Sequence, residues 1–240
     1  MSYRICAFNS PALNLYKQRC VLCVMSRGDY SYLGEESYVP FAWYCLFGWF
    51  IISLSGSMFH FTYQWTHCNW IVGSFMAVNE SVFEHMKILS FPVFIFWLVD
   101  CVICALWYDD DCVIKHIVSV NAAIYSGAFF MGVVHLVVSV GFGFEPLWFD
   151  IFLFFVSAFV AQYVGLCLLR VGHIPDFFMY ASVFCLLFAC GFHVYCTDNP
   201  PKFMPVLFED PGLFYGRPSN CTLLNGFTPI RNSIVFNSTL

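Results

Sequence analysis

Residues Leu147–Leu169 read LWFDIFLFFVSAFVAQYVGLCLL, an apolar run interrupted by a single charged side chain, Asp150. An α-helix rises about 1.5 Å per residue, so roughly 20 such residues cross the ~30 Å hydrocarbon layer of a bilayer. The run is too long and too unbroken for a barrel strand, which alternates apolar and polar positions. Four more stretches have the same character: Pro40 to Phe61, Ile88 to Tyr108, Ile117 to Val140, and Phe177 to Cys196. Loop signals separate them, namely Asp109-Asp110-Asp111, Gly141 to Pro146, and Gly172 to Asp176. The expected fold is all-α, a polytopic membrane bundle of about five transmembrane helices.

Composition agrees. The 240 residues are 60% hydrophobic and 10% charged, against roughly a quarter charged in a soluble domain. Thirty Phe and seven Trp are too many to hide inside a water-soluble globule of this size. The net charge of −5, with scattered Lys and Arg, excludes a basic patch for nucleic acid. The cysteines number thirteen, an odd count, and Cys45, Cys101, Cys104, Cys167 and Cys185 fall inside apolar runs, where a thiol behaves as a small hydrophobe. No disulfide framework is expected. Cys20-x-x-Cys23 and Cys101-x-x-Cys104 each lack the second half of a zinc site.

Residues 1–39 lack a continuous apolar core and read as an extension, 40–197 as the five-helix domain, and 198–240 as a largely irregular tail. Between the first two spans, Trp70 to Val78 is apolar but too short to cross. It is expected to lie at the interface or to dip in and out, and Trp65 and Trp70 suit an aromatic belt. A cytoplasmic N-terminus places Arg4, Lys17, Arg19, Arg27, Lys115 and Arg170 inside, leaving Lys87, Lys202, Arg217 and Arg231 outside. The C-terminus then lies on the opposite side, in agreement with acceptor sequons at Asn220-Cys-Thr and Asn237-Ser-Thr.

Five alternating spans bring His60, Glu80, Glu84, His85, His135, Asp150 and His193 toward one membrane face. Ionisable groups at membrane depth are costly and usually face the bundle interior. Imidazoles and carboxylates in one layer are the ligand set of a zinc-like ion with an open position, and equally of a proton relay. They also have plainer uses. Ser81-x-x-Glu84 is a capping box for a helix start, with Glu80 just outside it, and span-end histidines can be interfacial. Asp100, Asn121 and Gln162 lie deeper and read as interhelical hydrogen-bonding groups, while His67, His116 and His173 read as loop residues.

The segment Val78-Asn-Glu-Ser-Val-Phe-Glu-His-Met-Lys-Ile88 resembles the signature of an uncharacterised family of small multi-pass membrane proteins, in which a pattern close to Pro-Val-Asn-Glu-Ser-Val-Trp-Glu-His-Leu-Lys precedes a span. This chain departs with Ala77 and Phe83. Further likeness comes from Gly56-x-x-x-His60-Phe-x-Tyr63-x-Trp65, Phe149-Asp150-Ile151, Gln162, Pro200-Pro201, Leu207-Phe208-x-Asp210-Pro211 and Tyr215-Gly216. The resemblance implies that Glu80, Glu84, His85 and Lys87 act as a unit together with Asp150. It implies no activity.

Three classes of function fit. A metal-dependent hydrolase or transferase acting on a lipid or small membrane-borne substrate would hold a zinc-like divalent ion on His60, His85 and Asp150, with His193. Glu80 or Glu84 would then be the general base, and Lys87 would offset developing charge. A proton-coupled transporter would use the same groups and need a polar path past Asp100. A non-catalytic assembly or sensor protein would use them only to fasten helices.

Overall fold

The computed structural model describes residues 38–107, 110–144, 146–171, 174–209 and 216–217. The expectations placed on residues 1–37, on the Cys20/Cys23 pair and on the two sequons lie outside the described residues. The chain forms α1 (Tyr38–Trp65), α2 (Trp70–Phe75), α3 (Val82–Trp107), α4 (Asp110–Leu136), α5 (Leu147–Leu169), α6 (Asp176–Asp198) and α7 (Pro205–Phe208). Five of these, α1 and α3 to α6, are long and apolar enough to cross a membrane, and no strand occurs among the described residues. The all-α, five-span reading holds.

The body of the bundle is α1, α3, α4 and α5, wrapped around a core that includes Ile52, Leu89, Val93, Trp97, Ala123, Ala158, Ala161 and Leu166. Lipid tails are as apolar as leucine, so close backbone approach and dispersion hold such helices together. Pro92 inside α3 has no N–H to give the carbonyl of Ile88, four residues before it. Gly56 of α1 packs against that carbonyl: a Cβ there would lie 2.9 Å from Ile88 O and 2.5 Å from Phe154 Cζ. Between α4 and α5, a Cβ on Gly127 would lie 2.8 Å from Ala161 Cβ and 3.2 Å from Ser157 O.

The sixth helix is peripheral. It packs against α4 and α2, and its Phe177, Tyr180, Phe184, Leu187, Phe188 and Tyr195 stay exposed on the outer surface. The α1–α2 turn is sharp, with His67 and Cys68 both in the left-handed region (φ 53° and 57°). Asn69 caps α2 by accepting the Ile71 N–H at 2.9 Å and the Val72 N–H at 3.4 Å. Cys68 is disulfide-bonded, a departure from the expectation of no such framework. Residues 199–209 and 216–217 return to the bundle, with Phe208 of α7 buried against Phe83 and Cys196.

Candidate metal centre

The Val78–Ile88 segment turns from loop into the first two turns of α3, and its polar side chains leave in two directions. Glu80 and His85 face α1. His60 Nε2 lies 3.3 Å from Glu80 Oε1, His85 Nε2 lies 3.8 Å from Glu80 Oε2, and the two imidazole rings stand 5.3 Å apart. One ligand atom from each of His60, Glu80 and His85 falls within 4.8 Å of the other two. The side chains are 18%, 36% and 19% exposed, so the group opens at the end of the bundle without being sealed in it.

Two observations bear on the charge balance there. His85 Nδ1 lies 2.9 Å from the Ser81 carbonyl, and a carbonyl only accepts, so Nδ1 carries the proton. Nε2 faces a Glu80 carboxylate oxygen, and a proton on Nε2 or a metal ion between the two would each supply the positive charge this approach calls for. Holding the far ring nitrogen on a backbone carbonyl is also how metal-binding histidines are oriented. Burial acts to raise the Glu80 carboxyl, but the hydrogen bond from His60 and the charges of His60 and His85 prevail and hold it below the usual carboxylate value. Two imidazoles and a carboxylate on three positions match a zinc-like ion that keeps a coordination position open.

Asn79, Glu84 and Lys87 face the other way. Glu84 and Lys87 are 1% and 0% exposed. Lys87 Nζ donates to Glu84 Oε2 at 2.5 Å, to Gly73 O at 3.0 Å and to Thr197 Oγ1 at 2.8 Å, which uses all three of its protons. Glu84 Oε2 also accepts the Val78 N–H at 3.0 Å, and the Thr197 hydroxyl lies 3.2 Å from Glu84 Oε1. The capping box is half made. Ser81 Oγ accepts the Glu84 N–H at 3.4 Å, but the Ser81 N–H donates to Asn79 Oδ1 at 2.9 Å, because Glu84 is engaged by Lys87 and the Val78 amide. Glu84 and Lys87 therefore tie α2, α3 and α6 together, away from the group at His60.

Gly216 and Arg217 close the same corner. Asn79 Nδ2 donates to Gly216 O at 2.9 Å, and the Arg217 guanidinium reaches Asp198, the Trp70 carbonyl and Ser74 Oγ. Gly216 needs its freedom: its φ is +68°, and a Cβ would meet Thr197 O at 2.8 Å. Thr197, Asn79 and Arg217 were not singled out from sequence, and most of these bonds span more than a hundred residues, which leaves no local signal.

The other expected ligands lie apart from the group. Asp150 of α5 pairs with His135 of α4, Oδ1 to Nδ1 at 3.1 Å, two residues before the π-helical turn Val137–Gly141 that continues α4. His193 of α6 is buried among aromatic rings, 5.1 Å from Phe83 and 6.2 Å from Phe91. His116 is not a loop residue. It lies in α4, 1% exposed, facing Asp100. Gln162 does join two helices, accepting the Trp97 indole N–H at 3.1 Å.

A model of a family of unknown function, DUF6512, matches residues 36–216. No curated protein and no solved structure matches the chain. The match takes in all five long helices, the His60–Glu80–His85 group and the Gly216 contact, and it bears out the resemblance to a family without a known activity. By this match, the chain belongs to the DUF6512 family.

Proposed function

We propose that the protein is a metal-dependent hydrolase or transferase of a lipid or other membrane-borne substrate, with a zinc-like divalent ion held by His60, Glu80 and His85. The observation that carries this reading is the convergence of three ligand atoms within 4.8 Å from α1, α3 and the loop before α3. The ion would lower the pKa of a bound water toward ~7 and polarise a substrate oxygen. Glu80 serves in this reading as a ligand in place of a general base. Glu84 and Lys87, satisfied by protein partners, serve as its scaffold. The exposed indoles of Trp65 and Trp70 flank this end of the bundle and suit the headgroup level of a bilayer, where such a substrate would present its polar part. The disulfide at Cys68, in the turn beside the group, supports placing this end on the oxidising, non-cytoplasmic side.

The test is metal content of the purified full-length protein by mass spectrometry, for wild type and for His85→Ala and Glu80→Gln. Near-stoichiometric zinc or another divalent metal in the wild type, lost in both variants while they remain folded, supports the reading. Folded wild-type protein that stays metal-free after loading with zinc overturns it.

A further inference from the structure

A second imidazole–carboxylate pair lies in the other half of the bundle, where the metal centre makes no use of it. His116 Nε2 is 3.3 Å from Asp100 Oδ2, and the two side chains are 1% and 5% exposed. A tier of apolar residues with almost no exposure, among them Ile52, Leu89, Val93, Ala158 and Ala161, stands between this pair and the His60 group. The two groups are therefore separate clusters, although the buried hydroxyls of Ser53, Ser90 and Ser157 lie in the same stretches as this tier. Ionisable groups at such depth are rare and mark relays or ion sites unless they only fasten helices.

The comparison with Lys87 and Glu84 decides between those uses. That buried pair has its protons and lone pairs spent on protein partners, as a permanent fastening requires. The neighbourhood of Asp100 and His116 is built differently. Ser119, one turn beyond His116 on α4, is 0% exposed, yet its hydroxyl has no hydrogen-bond partner. Trp97 lies 6.2 Å from the His116 ring and donates to Gln162 Oε1. An indole N–H can only donate, so the amide orientation is fixed, and the Gln162 Nε2 donors are left unspent in the interior. Polar capacity held in reserve beside a buried acid–base pair suits a site whose hydrogen-bonding demand changes with its protonation state.

We propose that Asp100 and His116 form a buried proton-binding site in the half of the bundle opposite the His60 group. One proton adds to the pair and leaves it again, no other bond changes, and the carboxyl and imidazole titrate as a unit. Ser119 and Gln162 supply hydrogen bonds to whichever form is present. Among the described residues, other titratable and charged groups in this half include Cys101 on α3, Lys115 on α4, Tyr163, Cys167 and Arg170 on α5, and Tyr44 and Cys45 on α1, and the sequence adds Cys104 on α3 and Asp110, Asp111 and Cys112 at the start of α4.

The test is nitrogen NMR of histidine-labelled full-length protein in nanodiscs, washed with chelator so that the metal centre plays no part. The titration runs from about pH 5 to about pH 9, which brackets an ordinary imidazole. A resonance missing from His116→Gln should titrate in this window, and Asp100→Asn should move its midpoint by about one pH unit or more. A His116 resonance that stays in one form throughout overturns the proposal, as does a midpoint unmoved by Asp100→Asn. Should His116→Gln fail to fold, infrared difference spectra on acidification replace it. A carboxyl or imidazole band present in wild type and absent in Asp100→Asn supports the site, and no such band in wild type overturns it.

Discussion

Lys87 carries a full charge with no exposed surface, and its three protons end on three different parts of the chain. Removing one member of a buried ion pair strands the other, at a cost of about 3–5 kcal/mol. Lys87→Met should therefore lower the midpoint of denaturant unfolding in detergent sharply, and Glu84→Gln with Lys87→Met should recover most of the loss. Glu80→Gln should behave in the opposite manner, leaving stability close to wild type while removing bound metal. Depth along a span is readable from sequence, which is why His60, Glu80 and His85 were gathered at one end in advance. The direction a side chain takes around its helix axis is not. Glu84 and His85 are adjacent yet point to different neighbours, and Asp150 and His193 share the layer while meeting His135 and Phe83 instead of the His60 group.

Among the elements, α1 and α3 meet where Pro92 frees the Ile88 carbonyl and Gly56 leaves room for it. Gly56→Val should force these helices apart, with an overpacking cost of about 1–3 kcal/mol visible in thermal unfolding. Gly127→Val should act similarly between α4 and α5. Gly191→Ala on α6, where an added Cβ meets nothing within 4 Å, should match or exceed wild-type stability. Arg217→Ala frees α2 from the end of α6, so amide exchange at Trp70–Phe75 should accelerate while the core of α3 stays protected. The five spans were legible because apolar length is a composition signal. The start of α4 was not, because the helix runs from Asp110 through polar residues ahead of the apolar run, and this made His116 look like part of a loop.

For the whole molecule, the His60 group lies toward one end of the bundle and the Asp100–His116 pair in its other half, so the proposed metal site should be reached from one side of the membrane only. In sealed vesicles of native orientation, a membrane-impermeant chelator added outside should strip the metal, and the same chelator trapped inside should not. Metal retention should also fall on acidification, because histidine ligands must be neutral to bind.

The loose seating of α6 bears on how a copy of this protein is finished. Synthesis delivers α1 to α5 before Asp176–Asp198 emerges, and the fully buried residues of their shared core all precede it, with Leu186 of α6 packed at the edge. At that stage Lys87 has Glu84 and the Gly73 carbonyl to hold, but Thr197 has not arrived. A chain stalled or cut short before Asp176 thus carries an ammonium with an unspent proton inside the bilayer, and in this respect a truncated copy differs chemically from a completed one.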